Sequence, residues 1–513
     1  RSSADLSKPL TLGTISSAKN MPVASKTITA AKPIAPPAEA PAKPTLEPVS
    51  SRNRKPNVLF IAIDDLRPEL GCYGKHVISP NIDKLAASGV QFNRAYCQQA
   101  VCGASRLSLM GGLYPTNTRE QTFHVNGWRE RHPNLLTMNQ HFGMHGYQTI
   151  GMGKIYHGHS SGPATDLENW DTWIDVSTSE YALQKNKDLV TQALKDKTKG
   201  STHAPPEGPM TELADVPDDT YIDGKRAARA IKVLDQLAND GEKPFFLAVG
   251  FTKPHLPFVA PKKYWDLYDR DSFSMPSNSG RPPQWPEDAA FTKANEMQRY
   301  VDYVGNGPKD FPQSLNKRLL HGYAAAASFV DANVGRVLDA LEEKGLADNT
   351  IVVLWGDHGW KLGDHSSWCK HTNFECDTRV PLIVRDPRMT SGQTTDRLVE
   401  LIDLYPTLCD LTGIETPAHC QGRSFRGLLH DSESGHRYSS YSSYPAWKSL
   451  GHSIRFKTFR YTEWFHNDTG TLRARVLTDL RKDPGEVTNC AEDPAYTESL
   501  AAAKTELHKR IKE

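Results

Sequence analysis

Apolar residues in this chain gather into unbroken runs, and each run stops at polar residues capable of chemistry. Val58-Leu59-Phe60-Ile61-Ala62-Ile63 stops at Asp64-Asp65. Phe245-Phe246-Leu247-Ala248-Val249 leads to Lys253-Pro254-His255, and Ile351-Val352-Val353-Leu354-Trp355 leads to Asp357-His358. Pro381-Leu382-Ile383-Val384 is a shorter run of the same kind, and Tyr147 to Gly153 reads as a strand leading to Lys154 and His157. A strand apolar on both faces belongs inside a sheet covered by helices. Between the runs lie helical patterns, Gly224 to Leu237 and Leu319 to Leu341, the second closed by Gly345. Strands alternating with helices predict an α/β sheet.

From about Arg437 the pattern changes. Short Tyr-, Ser- and Thr-rich runs, such as Ser453 to Phe456 and Phe459 to Trp464, precede a helical pattern from Tyr496 to Ile511. They predict a smaller antiparallel sheet with one helix. Residues 1–54 are rich in Ala, Pro, Ser and Lys and hold no Phe, Trp or Tyr. Such a segment buries too little apolar surface to offset its ordering entropy, so a flexible leader is expected. The expected organisation is therefore a leader over 1–54, a catalytic domain over 55–436 and a C-terminal subdomain over 437–513.

Composition narrows the function classes. With 513 residues, 38% of them hydrophobic, the chain can bury a large core. A net charge of +1 leaves no electrostatic footprint for nucleic acid. No apolar run is long enough to span a membrane. Eight cysteines without a Cys-x-x-Cys pair argue against a thiolate zinc site, and one or two disulfides stay open. The chain opens at Arg1 with no hydrophobic signal segment, as expected if a signal peptide was removed or the chain trimmed.

In open α/β sheets, ligands bind beyond the carboxyl ends of the strands. Asp64-Asp65, Lys154, His157, His255 and Asp357-His358 should all converge there. Three Asp in two groups suit a hard divalent cation that takes oxygen ligands. An Asp after a buried strand also serves as a helix cap, but two such places beside a further motif favour the metal. That motif is Cys102-Gly103-Ala104-Ser105-Arg106, a small-residue turn before a helical pattern. It puts Cys102 near a helix N-terminus, where negative charge is favoured.

Cys102-x-Ala-Ser-Arg106 resembles the signature of the formylglycine-dependent sulfatases, within the alkaline-phosphatase superfamily. The resemblance runs from about Lys55 to the C-terminus. Within the family it is strongest to the iduronate-2-sulfatase branch, through Gly151 to His157, Phe245 to Phe258, Gly356 to His365 and Trp368 to Phe374. It implies an alkaline-phosphatase-like fold: a central mixed sheet flanked by helices, with a C-terminal antiparallel sheet plus helix. It implies that Cys102 is oxidised to formylglycine, which hydrates and attacks the sulfur of a sulfate monoester beside Ca²⁺, with Mg²⁺ the lesser candidate. Asp64, Asp65, Asp357 and His358 would hold the metal together with residue 102. Arg106 and Lys154 would neutralise charge around them, and His157 would take the proton when sulfate is expelled. His255 and Lys370 would bind sulfate oxygens, with His255 protonating the leaving oxygen. His371 is a candidate to bind substrate, and Trp360 reads equally as lining the substrate pocket or as packing beneath it.

Substrates implied by the family are sulfated sugars, attacked from chain ends: 2-sulfated uronic acids of glycosaminoglycans, or algal ulvan and fucoidan. A polysaccharide substrate and a leader fit a periplasmic or secreted enzyme. Many members carry Pro where this chain has Ala104. A radical-type formylglycine-generating maturase and a bacterial origin are therefore expected. Two alternatives stand beside this reading: a phosphate or phosphonate monoester hydrolase on the same scaffold, and a non-catalytic glycan-binding relative.

Overall fold

A computed structural model describes residues 55–512 except 123–124, 158–164, 197–204, 240, 292–295, 306–307, 390–391 and 447. The expected leader over 1–54 lies outside the described residues. The apolar runs form the strands of one large sheet. These are β1 (Asn57–Ile63), β2 (Val90–Phe92), β3 (Gln148–Gly153), β4 (Thr172–Ile174), β5 (Phe245–Phe251), β6 (Thr350–Gly356), β7 (Leu382–Arg385) and β8 (Gln393–Thr395). Their order is β8-β2-β7-β6-β1-β5-β3-β4. β6, β1, β5, β3 and β4 pair in parallel, whereas β7 runs antiparallel to both β6 and β2, so the sheet is mixed.

Alternation along β1 explains the layers. Leu59, Ile61 and Ile63 face helices α2 (Ile222–Asn239) and α3 (Gln313–Glu343). Val58, Phe60 and Ala62 face the opposite layer, with Leu107, Leu109 and Met110 of α1 (Cys102–Gly111). A period of two between faces requires an apolar residue at every position, which is the run seen in the sequence. All seven residues of β1 are buried.

β6, β1, β5 and β3 lie side by side, and each ends in a residue of the expected chemistry: Asp357, Asp64, the Thr252–His255 segment and Lys154. Their convergence follows from register, since Ile63 sits opposite both Phe251 and Gly356, and Gly153 opposite Gly250. Gly250 lets β5 pass close to Lys154: a Cβ there would fall 2.3 Å from the Lys154 carbonyl carbon. Gly250→Ala should therefore destabilise the fold by about 1–3 kcal/mol through overpacking. An unchanged melting temperature in that variant would refute the tight contact.

The C-terminal part forms a four-stranded antiparallel sheet, β9 (Ser439–Ala446), β10 (Ser449–Phe456), β11 (Phe459–His466) and β12 (Leu472–Asp479), packed by α4 (Thr497–Lys512). α4 also reaches back to earlier residues. Arg510 Nη2 donates to Glu400 Oε1 at 2.7 Å and to the Tyr114 hydroxyl. All eight cysteines are free thiols, so the disulfides left open by the sequence are absent. Among the described residues, no helix is long and apolar enough to cross a membrane.

Candidate active site

Cys102 is the first residue of α1, with Val101 as its extended N-cap. Small residues at 103–105 let this turn pack against the strand ends, and Gly112, at φ 69°, stops the helix in a left-handed turn. The Cys102 Sγ lies 3.2 Å from His358 Nε2 and 3.9 Å from Lys154 Nζ. Only 3% of the residue is exposed. Burial, then the nearby Asp64 charge, pushes this thiol well above its ordinary range despite Lys154 and Lys370.

Arg106, one turn further along α1, binds three strand ends together. Nε donates to Asp357 Oδ2 at 2.9 Å and Nη2 to Asp64 Oδ1 at 3.1 Å. Nη1 donates to the carbonyls of Lys154 and Ile155. Lys154 Nζ pairs with the other oxygen of Asp64. Asp65, two residues past β1, has φ 57°, a left-handed conformation that Asp tolerates better than most residues. Its two oxygens accept from Lys370 Nζ at 2.9 and 3.0 Å. Asp357 Oδ1 accepts from the backbone N–H groups of Asp65 and His358, each at 3.0 Å. Burial alone would raise the Asp64 carboxyl, but Lys154, His255, Arg106 and Lys370 together hold it well below the usual carboxylate range.

Three buried carboxylates thus face three buried cations, Arg106, Lys154 and Lys370. The cluster is close to neutral, which is how such charges survive in a protein interior. One imbalance remains. His358 Nδ1 lies 3.0 Å from the Gly359 carbonyl and must donate to it. In the neutral ring Nε2 is then a lone pair, aimed at Asp357 Oδ2 (3.4 Å), Asp65 Oδ1 (3.5 Å) and the Cys102 sulfur. Lone pairs and carboxylates converging on one point suit a cation between them. The ligand atoms of Asp64, Cys102, Asp357 and His358 all lie within 4.8 Å of one another, as do those of Asp64, Asp65, Cys102 and His255. Atoms this close together can share one ion. The oxygen-rich donor set fits a hard cation.

His255 follows β5, between two cis prolyl bonds, Lys253-Pro254 and Leu256-Pro257. Its Nε2 is 3.9 Å from Asp65 Oδ2. Burial would lower its pKa, but Asp65 and Glu296 outweigh burial and raise it. His371 contacts the C-terminal sheet, its Nδ1 2.8 Å from the Tyr444 hydroxyl on β9. Trp360 has no exposed surface, and the Lys370 ammonium lies 4.8 Å above its ring. Of the two readings the sequence left open for Trp360, lining or packing, its burial beneath Lys370 is the packed arrangement. His157 is half-buried, three residues past Lys154 in the segment whose carbonyls accept from Arg106.

Two residues at the site carry no signal in the sequence. Glu296 lies in an irregular segment, with Oε1 2.7 Å from His255 Nε2 and Oε2 2.9 Å from Lys370 Nζ. Tyr444 is one of several tyrosines in a Ser/Tyr-rich strand, and nothing local marks it as the partner of His371.

The family model described as sulfatase matches residues 56–414, and one described as the C-terminal part of N-sulphoglucosamine sulphohydrolase matches 363–513. Mouse iduronate 2-sulfatase is 35% identical over 506 residues, covering 85% of this chain and 89% of its own. A structure in complex with its substrate D-glucosamine-2-N,6-O-disulfate superposes with a TM-score of 0.69 at 21% identity, covering 90% of this chain and 98% of that one. The phosphonate monoester hydrolase of Agrobacterium radiobacter superposes equally well, with a TM-score of 0.69 at 22% identity over 89% and 96% of the two chains. At those identities the two structures establish the fold alone. The family match over most of the chain establishes more: this protein belongs to the sulfatases and is a sulfuric ester hydrolase.

Proposed function

We propose that this enzyme removes sulfate from sulfated sugars at the ends of oligosaccharide or polysaccharide chains. The observation that carries the reading is the position of Cys102 Sγ, 3.2 Å from His358 and 3.9 Å from Lys154, beside three carboxylates that suit a divalent cation. The similarity to mouse iduronate 2-sulfatase supports a sugar ester as substrate, with a 2-sulfated uronic acid or an algal sulfated sugar at the chain end.

Asp64, Asp65, Asp357 and His358 would hold Ca²⁺, which would supply Lewis acidity to the sulfate ester and to residue 102. Formylglycine, formed from Cys102 by a radical-type maturase, supplies the oxygen nucleophile that a thiol lacks. Lys154 and Arg106 fix the carboxylates, so that no charged group has to reorganise during the reaction. Lys370 and His255 bind the sulfate oxygens, and His255 Nε2 gives its proton to the departing sugar oxygen. His157 accepts a proton as sulfate leaves. A cluster near neutrality gains a net positive charge from a divalent ion, which favours an anionic ester over a neutral sugar. A polymeric substrate argues for a periplasmic or secreted location.

The test is sulfate release from defined sulfated oligosaccharides, alongside 4-nitrophenyl sulfate and 4-nitrophenyl phosphate. Release should come from terminal residues, with the phosphate turned over about a hundredfold more slowly than the sulfate. Faster turnover of the phosphate would replace this reading with the phosphohydrolase one. Binding of the oligosaccharides without release, once residue 102 is verified as formylglycine, would make the protein a lectin-like relative.

A further inference from the structure

Glu296 differs from the other carboxylates of the site. The side chains of Asp64, Asp65 and Asp357 are fully buried, whereas that of Glu296 is 16% exposed. It therefore stands on the open side of the cluster. One oxygen lies 2.7 Å from His255 Nε2, and the other lies 2.9 Å from Lys370 Nζ and 3.9 Å from His371 Nε2. His255 Nδ1 is committed to the Leu256 carbonyl at 2.6 Å. Nε2 is therefore the nitrogen that His255 can offer to a ligand, and Glu296 occupies it. Lys370 already meets Asp65 on its buried side, and Glu296 takes its remaining face.

A carboxylate presents two oxygens that share one negative charge across a single centre. A sulfate monoester spreads one negative charge over three terminal oxygens around sulfur, so two of them can take the same places. We propose that Glu296 is a resident counter-anion: its carboxylate holds His255 and Lys370 in the ligand-free enzyme, and the sulfate group displaces it on binding. The proposal rests on reading His255 and Lys370 as the groups that take sulfate oxygens. Its consequence is selectivity. An incoming anion exchanges one set of charge-assisted hydrogen bonds for another, so a bare anion gains little. An ester whose sugar adds contacts elsewhere gains more. Free sulfate, the product, meets a returning carboxylate and is expelled.

Titrating inorganic sulfate into the Ca²⁺-loaded protein by calorimetry tests this without requiring turnover. Glu296→Gln keeps the side-chain volume and Glu296→Ala removes its reach, and both should bind sulfate about tenfold more tightly than the parent protein. A crystal structure of the parent protein with sulfate bound should show the Glu296 carboxylate withdrawn from both His255 and Lys370. Unchanged or weaker sulfate binding in the folded variants overturns the proposal, and so does sulfate bound with both Glu296 contacts intact. Turnover of a sulfate ester by the parent protein is measured separately. Tighter sulfate binding in the variants of a protein that hydrolyses no ester would sustain the counter-anion and remove the functional reading. Turnover with unaltered sulfate affinity would do the reverse.

Discussion

Cys102→Ala should abolish sulfate release, lowering kcat by a factor on the order of 10⁵. The size follows from the role. Other residues of the site bind, orient or shift protons, and losing one of them leaves the nucleophile in place. Alanine at 102 can be neither oxidised nor hydrated, so on the proposed mechanism the attacking oxygen would be lost altogether. The fold should survive, because the Cys102 side chain is small and its few polar contacts run to His358 and Lys154, which keep partners of their own. The measurements are steady-state turnover of a sulfate ester, the melting temperature, and mass spectrometry of the peptide bearing residue 102 in the parent protein. Turnover by the alanine variant within tenfold of the parent's would end the case for Cys102 as the precursor of the nucleophile.

Arg106→Met is expected to have the largest effect on stability, about 3–5 kcal/mol. The methionine nearly fills the same space, so the loss is electrostatic. Arg106 neutralises Asp64 and Asp357 from a position with no exposed surface, and it also donates to two carbonyls just past the end of β3. Without it, two buried carboxylates are left with one cation, Lys154, between them. Divalent cation should then stabilise the variant more than the parent, because the ion would supply the missing positive charge. Denaturant unfolding with and without Ca²⁺ measures both effects. A variant as stable as the parent in the absence of Ca²⁺ would show that Arg106 is not the electrostatic tie between the strands.

Much of this site is legible in the amino-acid sequence, for a physical reason. Strands buried on both faces must be apolar throughout, so β1, β5 and β6 announce themselves and so do the polar residues that end them. Asp64, Asp65, Lys154, His255, Asp357 and His358 can be read from that pattern and from the motif resemblance. Direction is another matter. Leu382–Arg385 is nearly as apolar as its neighbours, and an apolar run reads the same from either end, so its antiparallel course stays hidden. Glu296 is hidden more deeply. It precedes a single short turn, Met297–Arg299, and a lone Glu there has no periodicity to mark it. Trp360 shows a different limit, since a tryptophan near a functional lysine reads equally well as lining or as floor.

The burial of Cys102 carries one more consequence, and it concerns time. Cys102 is 3% exposed, and the His358 ring that meets its sulfur lies 256 positions further along the chain. On the mechanism proposed above, a catalyst that oxidises the thiol would have to grasp the 102–106 segment before the last third of the chain docks and seals it. Maturation would then be a race against folding with a single start. A molecule that folded first would be a stable but inactive product, beyond rescue by a later supply of catalyst. The active fraction of a preparation then reports the speed of synthesis and folding when it was made, so two batches with identical melting curves can differ many-fold in activity.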